Sequence, residues 1–173
     1  MFKPKVVSVI TGVLILISAT SLVAAKSFNH TDLYRYLIDL KGWDATGPTG
    51  SSLDSKGMQM VTVERTYRKG KMEMHVEIVI GPAAMGMWAP FAAGFSMENP
   101  EELFKTLKIK GLPAGVNHRK KSKDGAVVVL LSEGKETGKG SIFMINYLNM
   151  DYRDVVSLTE GFPLQDLKKL MNE

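Results

Sequence analysis

Cysteine is absent from all 173 residues, and histidine occurs only three times. No disulfide can staple the chain, no thiolate can act as nucleophile or metal ligand, and no lipid-modified cysteine can follow an apolar leader. The G-x-S-x-G elbow of the α/β-hydrolases is missing as well. Gly134-x-x-x-Gly138-Lys139-Gly140 comes near a phosphate-binding loop but is one residue short, with Gly140 where a Ser or Thr belongs. Charge of one sign is scarce: 22 Lys and Arg stand against 18 Asp and Glu. That balance is not the footprint of a nucleic-acid binder. What is there, 45% hydrophobic and 23% charged residues, excludes a wholly disordered chain. The length gives room for one domain, which without disulfides must be held by a packed core.

Charge is also absent from Val6 to Ala25, which follows Lys3 and Lys5. Val6–Ile17 is strongly apolar and Ser18–Ala25 smaller and more polar. Basic, apolar and small-residue zones in that order make a secretory signal peptide. Val23-Ala24-Ala25 puts small residues at −3 and −1 and predicts cleavage after Ala25. The competing reading is a retained anchor, because twenty apolar residues just span a bilayer. Lys3 and Lys5 would hold its N-terminus inside, so both readings put residues 26–173 outside the cytoplasm. The sequence therefore predicts an exported protein, periplasmic or secreted, with a single inner-membrane anchor as the alternative. Loss of residues 1–25 removes two of the 22 basic residues and no acid, leaving 20 against 18. Residues 26–173 are expected to form a single α+β domain.

Within them, Leu33, Leu37 and Leu40 form one stripe and predict a helix over Thr31–Lys41, stopped by Gly42. Residues 44–57, rich in Gly, Ser, Thr and Asp, are expected to be a loop. Met58–Arg68 and Lys71–Ile80 read as a hairpin turning at Lys69-Gly70. That register pairs Tyr67 with Met72, Arg65 with Met74, Val63 with Val76 and Val61 with Ile78 on one mostly apolar face. Thr62, Glu64, Thr66, Glu73, His75 and Glu77 share the other. Pro82–Met97 carries no charge and reads as a helix broken at Pro90 and apolar nearly all round. A helical turn is expected at Asn99–Glu102. Strands follow at 106–110, 115–121, 126–131 and 141–148, with a Gly-rich loop over 132–140. Short helices begin at Asp151 and Pro163. Unbroken apolar strands need cover on both sides. The expected architecture is α+β, one largely antiparallel sheet of about six strands covered by helices on both faces.

This element order, together with the leader, resembles PsbP-like domains, which also sandwich an antiparallel sheet between helices. The resemblance implies the fold alone and carries over no residue and no activity. The spacing Gly42-Trp43 and Arg65-x-Tyr67-x-x-Gly70 is also similar to that in exported bacterial proteins of no assigned function.

Four groups of side chains are candidates for function. Met85, Met87, Trp88, Phe91 and Phe95, in the uncharged segment, are either core or contacts for a partner, a second copy, a lipid or an apolar ligand. Glu64, Glu73, His75 and Glu77 share a strand face and suit a metal ion or acid–base work, but a second nitrogen ligand is wanting. Cross-strand charged pairing explains them more simply. Arg119, Lys120, Lys121 and Lys123, beside His118, suit an anionic surface or merely decorate a turn. Met58-x-Met60, Met72-x-Met74 and Met85-x-Met87 resemble copper(I) thioether sites, yet the hairpin register sends Met72 and Met74 away from Met58, Met60 and His75. The reading that results is an exported, non-catalytic binding or accessory domain of the cell envelope, with no cofactor and no metal. Its expected partners are an envelope protein, a second copy, or a lipid or apolar ligand, and not nucleic acid. The alternatives are a lipid or apolar-ligand carrier using segment 82–97, and a metal-binding protein or enzyme using the Glu64/Glu73/His75/Glu77 face.

Overall fold

Asn29 opens the described chain's first helix by accepting from Thr31 N, while Asp32 reaches back to the Asn29 amide. The computed structural model describes residues 28–55, 58–134 and 140–172. The leader at 1–25 and most of the 132–140 loop lie outside them. The elements run α1 (His30–Leu33), a 3-10 turn (Tyr34–Tyr36), β1 (Asp44–Ala45), β2 (Thr49–Ser55), β3 (Met58–Lys69), β4 (Met72–Ile80), α2 (Pro82–Ala92) and β5 (Met97–Glu98). After them come β6 (Glu102–Ile109), β7 (Leu112–Arg119), β8 (Asp124–Ser132), β9 (Ser141–Leu148), α3 (Tyr152–Glu160) and α4 (Leu164–Asn172). All strands join one antiparallel sheet in the order β1-β3-β4-β9-β8-β7-β6-β5, with β2 also on the outer edge of β3.

Two cores follow from strand alternation. Val61, Val63, Tyr67, Met74, Val76, Ile78, Val127, Val129, Phe143 and Ile145 point to one face, beneath Leu33, Tyr36, Val155, Leu164 and Leu167 of the N- and C-terminal helices. Val79, Val128, Leu130, Ile142 and Met144 point to the other, beneath Ala84, Trp88 and Phe91 of α2.

The expected sheet of about six strands is corrected to nine, and the covering helices are few and short. Residues 44–57, expected as loop, supply β1 and β2. As an edge element exposed at every position, β2 needs no apolar alternation and leaves none to read. The expected helix over 31–41 stops at Tyr36. Arg65 Nη1 donates to Leu37 O at 2.6 Å and the Tyr67 hydroxyl to Ile38 O at 2.8 Å, so β3 takes carbonyls a longer helix would use.

The first hairpin turns at Gly70-Lys71 rather than Lys69-Gly70, pairing Lys69 with Met72, Tyr67 with Met74 and Val63 with Ile78. Gly70, at φ 59°, takes the left-handed position that opens the turn. The shift preserves parity, so each side chain keeps its expected face. At 99–102 there is no helical turn. Asn99 Oδ1 instead accepts from the amides of Glu101 and Glu102 and leads the chain into β6.

Candidate functional site

The face under α2 is the part of the molecule where cover is incomplete. Pro82 starts the helix, and no break occurs at Pro90, contrary to expectation. Pro90 and Gly86, one turn before it, are both exposed, so water can satisfy the carbonyl that loses its donor. The helix is apolar all round in sequence yet buried on one side only, through Ala84, Trp88 and Phe91 at spacings of four and three. It lies very close to the sheet. A Cβ added at Gly115 would overlap the Phe91 ring, whose Cε1 would be 2.5 Å away, and one at Gly140 would meet Met85 Cγ at 2.5 Å. Phe91 stacks flat on Phe104, with centroids 4.7 Å apart.

The five candidates of this segment therefore separate. Trp88 and Phe91 are core, Met85 is half-buried, and Met87 and Phe95 are exposed. Seven large apolar side chains stand exposed among the described residues: Leu53, Met58, Met60, Met87, Phe95, Met97 and Leu148. All lie on the α2 side. Leu53 pairs with Met60, two residues from Thr62, which faces Val79; Met97 pairs with Phe104; Leu148 pairs with Glu73. Phe95 touches Phe104, and Met87 projects from α2 itself.

Beyond α2 the same face opens into a trough of about 550 Å³. One cross-strand row crosses it: His75, Asn146, Ala126, Asn117, then Phe104 and Met97. Ala126 is the low point between two carboxamides, and Arg119, Glu102, Glu73 and Leu148 line the end. His75 Nε2 lies 3.2 Å from Glu64 Oε2 and 3.5 Å from Glu77 Oε1, and its Nδ1 3.2 Å from Thr66 Oγ1. Asn146 Nδ2 donates to Glu77 Oε1 at 3.1 Å. Burial pushes the Glu77 carboxyl above its ordinary range, against the pull of His75. Glu73 is turned away into an ion pair with Arg68 at 2.7 Å.

The structure thus brings Glu64, His75 and Glu77 together and leaves Glu73 apart. Among the described residues no group of three or more His, Asp or Glu is placed to hold a metal ion. Thr66, His75 and Glu64 have the hydroxyl–imidazole–carboxylate order of a nucleophilic triad. They lie on paired strands, whose ladder engages the backbone donors an oxyanion hole would need. What the trough offers is hydrogen-bond donors and acceptors of both charge signs over a small apolar floor.

The cationic run sits at the opposite end of the sheet from Phe28. His118 is buried on the other face, its Nδ1 2.9 Å from the Tyr147 hydroxyl. Arg119 pairs with Asp124, and Lys120 Nζ lies 2.8 Å from both Glu98 Oε1 and Asn99 O. Those contacts hold the Asp124 and Glu98 carboxyls below their ordinary range. Lys121 and Lys123 remain in the exposed turn.

No family model matches the chain, and neither a curated protein nor a solved structure does. The trough residues Asn117 and Asn146 were not singled out from the sequence. Their signal was available: each is the first polar side chain after an uncharged apolar run, Leu112–Val116 and Ile142–Ile145.

Proposed function

We propose that residues 26–173 are an exported, non-catalytic binding domain of the cell envelope whose contact surface is the α2 face. The observation that supports this reading is the placement of Phe95 and Met97 on Phe104, next in the cross-strand row to Asn117 of the trough, with Met87 exposed on α2. Apolar anchors next to a hydrogen-bonding rim are the anatomy of a protein-binding surface. The opposite face is closed by α1, α3 and α4 and keeps no large apolar side chain exposed among the described residues. The basic, apolar and small-residue zones of the leader support export. The carrier reading loses support because Trp88 and Phe91 fill the space between α2 and the sheet.

Photo-crosslinkers at Met87 and Phe95, with a control at Ser157 on α3, test the proposal in intact envelopes. Adducts of one defined size from the first two positions and none from the third are expected. A homo-adduct would identify the partner as a second copy. No adduct, or equal adducts from all three positions, refutes the assignment.

A further inference from the structure

The two edges of the sheet are built differently. At one end the outermost strand, β5, is two residues long, and β6 beside it carries Lys105 and Lys108. Short strands and lysines are the usual guards against pairing with another chain. The other edge has neither over Thr49–Ser55. There β2 runs for seven residues without Pro, Lys or Arg, and Asp54 is its one charge. Its inner side is paired with β3 along its whole length, and among the described residues no backbone group pairs with its outer side. The first helix meets β2 on the face it shares with Val61 and Val63, where Ser52 Oγ accepts from the His30 amide at 2.7 Å.

This edge is complementary to itself. In an antiparallel pairing centred on Ser52, all seven residues find a partner. Thr49 opposes Ser55 of the second copy, Gly50 opposes its Asp54, and Ser51 opposes its Leu53. No like charges meet, and like charges directly opposite would destabilise the pair. Opposed residues share a face, so Leu53, 54% exposed on the α2 side, becomes the diagonal neighbour of its own copy. Met60, 38% exposed and cross-strand from Leu53, extends the contact on each flank. Two separate apolar pairs thus become one stripe across the junction. A foreign strand would need its own apolar side chain at that one step, and this chain already carries it.

We infer that the outer edge of β2 pairs antiparallel with the same edge of a second copy, about a two-fold axis at Ser52, so that two sheets become one. The axis stands perpendicular to the sheet, and both α2 faces therefore point the same way. The surface around Met87 and Phe95 is then presented twice, and two linked sites hold a multivalent partner with an avidity that one site lacks. A single strand pair is smaller than a standard interface, which places the dimer in the weak, concentration-dependent class. The pairing uses no residue of α2 and stands or falls separately from the partner surface there.

The absence of cysteine makes the test clean. In the full chain, a single cysteine replaces either Ser52 or Thr49, both exposed, and intact cells are treated with a membrane-permeant oxidant. Opposed residues have Cα atoms about 4.5–5.5 Å apart, within disulfide range. Position 49 lies six residue steps from its copy, about 20 Å, and serves as the control. A disulfide-linked homodimer from position 52 and none from position 49 is expected. Adding Leu53→Lys or Leu53→Glu to Ser52→Cys should lower the yield by about half or more, and co-expressing the two should restore it, because opposite charges then meet. That recovery also shows that both variants fold. Equal yields at 52 and 49, no dimer at 52, or loss without recovery in the mixture overturns the inference. So does a photo-crosslinker at Leu53 that captures a different protein and no second copy.

Discussion

Gly115→Ala is the sharpest perturbation the structure offers, because it adds one methyl group at the closest approach of α2 to the sheet. Gly115 lies on β7 with no unusual φ, so alanine brings no backbone strain. Its Cβ would overlap the Phe91 ring, and even Cε1 would be 2.5 Å away, against an ordinary contact distance of about 3.5–4.0 Å. The ring cannot slide sideways, since it stacks on Phe104 and abuts Trp88 at 5.8 Å. The helix must therefore lift by about 1 Å, loosening Trp88 and Ala84 with it. Overpacking of this kind costs about 1–3 kcal/mol. For a domain of this size that lowers Tm by about 3–10 °C. Phe91→Leu in the same chain should relieve the overlap, so urea melts of the two single variants and the double variant should show a favourable coupling of about 0.5–3 kcal/mol. Additivity within about 0.5 kcal/mol would mean that α2 floats on the sheet and that the packing described here is wrong. Because lifting α2 re-aims Met87, crosslinking from that position should weaken in Gly115→Ala and return in the double variant.

Trp88→Ala should cost about 3–5 kcal/mol, whereas Met87→Ala, one residue away and exposed, should stay within about 0.5 kcal/mol; in a Trp43→Phe background, acrylamide should quench Trp88 poorly. Arg65 ties residues 37–46 to β3 through Thr46 O, Leu37 O and Asp39, each within 2.7 Å. Arg65→Lys, which keeps the charge but not the fork, should lose about 2–3 kcal/mol in urea melts, and no loss would refute the clamp. Glu77 is raised above 4.5 by burial, so just above that value the folded protein holds a proton that the unfolded chain has released. Its contribution is most favourable below 4.5 and declines as pH rises through the folded pKa. Glu77→Gln should flatten that decline in melts taken from about pH 4 to pH 7, and an unchanged slope would refute the assignment.

Sequence alone determined the local and alternating features. The faces of β3 and β4 follow from parity, which survives a two-residue change of register, and Met74 is buried while His75 is not. The strand Ser141–Leu148 and the helix capped by Asp151 were legible because apolar runs, Gly and Asx residues act over a few positions. Tertiary structure decided the rest, wherever the deciding partner is remote in sequence. The helix ends before residue 37 because Arg65 and Tyr67, more than twenty positions on, take the carbonyls of Leu37 and Ile38. Residues 49–55 become a strand because β3 offers an open edge, and backbone pairing asks nothing of side chains that stay in water. Segment 82–92 has no polar stripe to show which side is inward. Gly115, by leaving room for the Phe91 ring, makes that choice, and so sets which of Met87, Trp88, Phe91 and Phe95 meet solvent. The trough could not be read as a site either, since His75, Asn146, Ala126 and Asn117 come from four strands that only the sheet order makes neighbours.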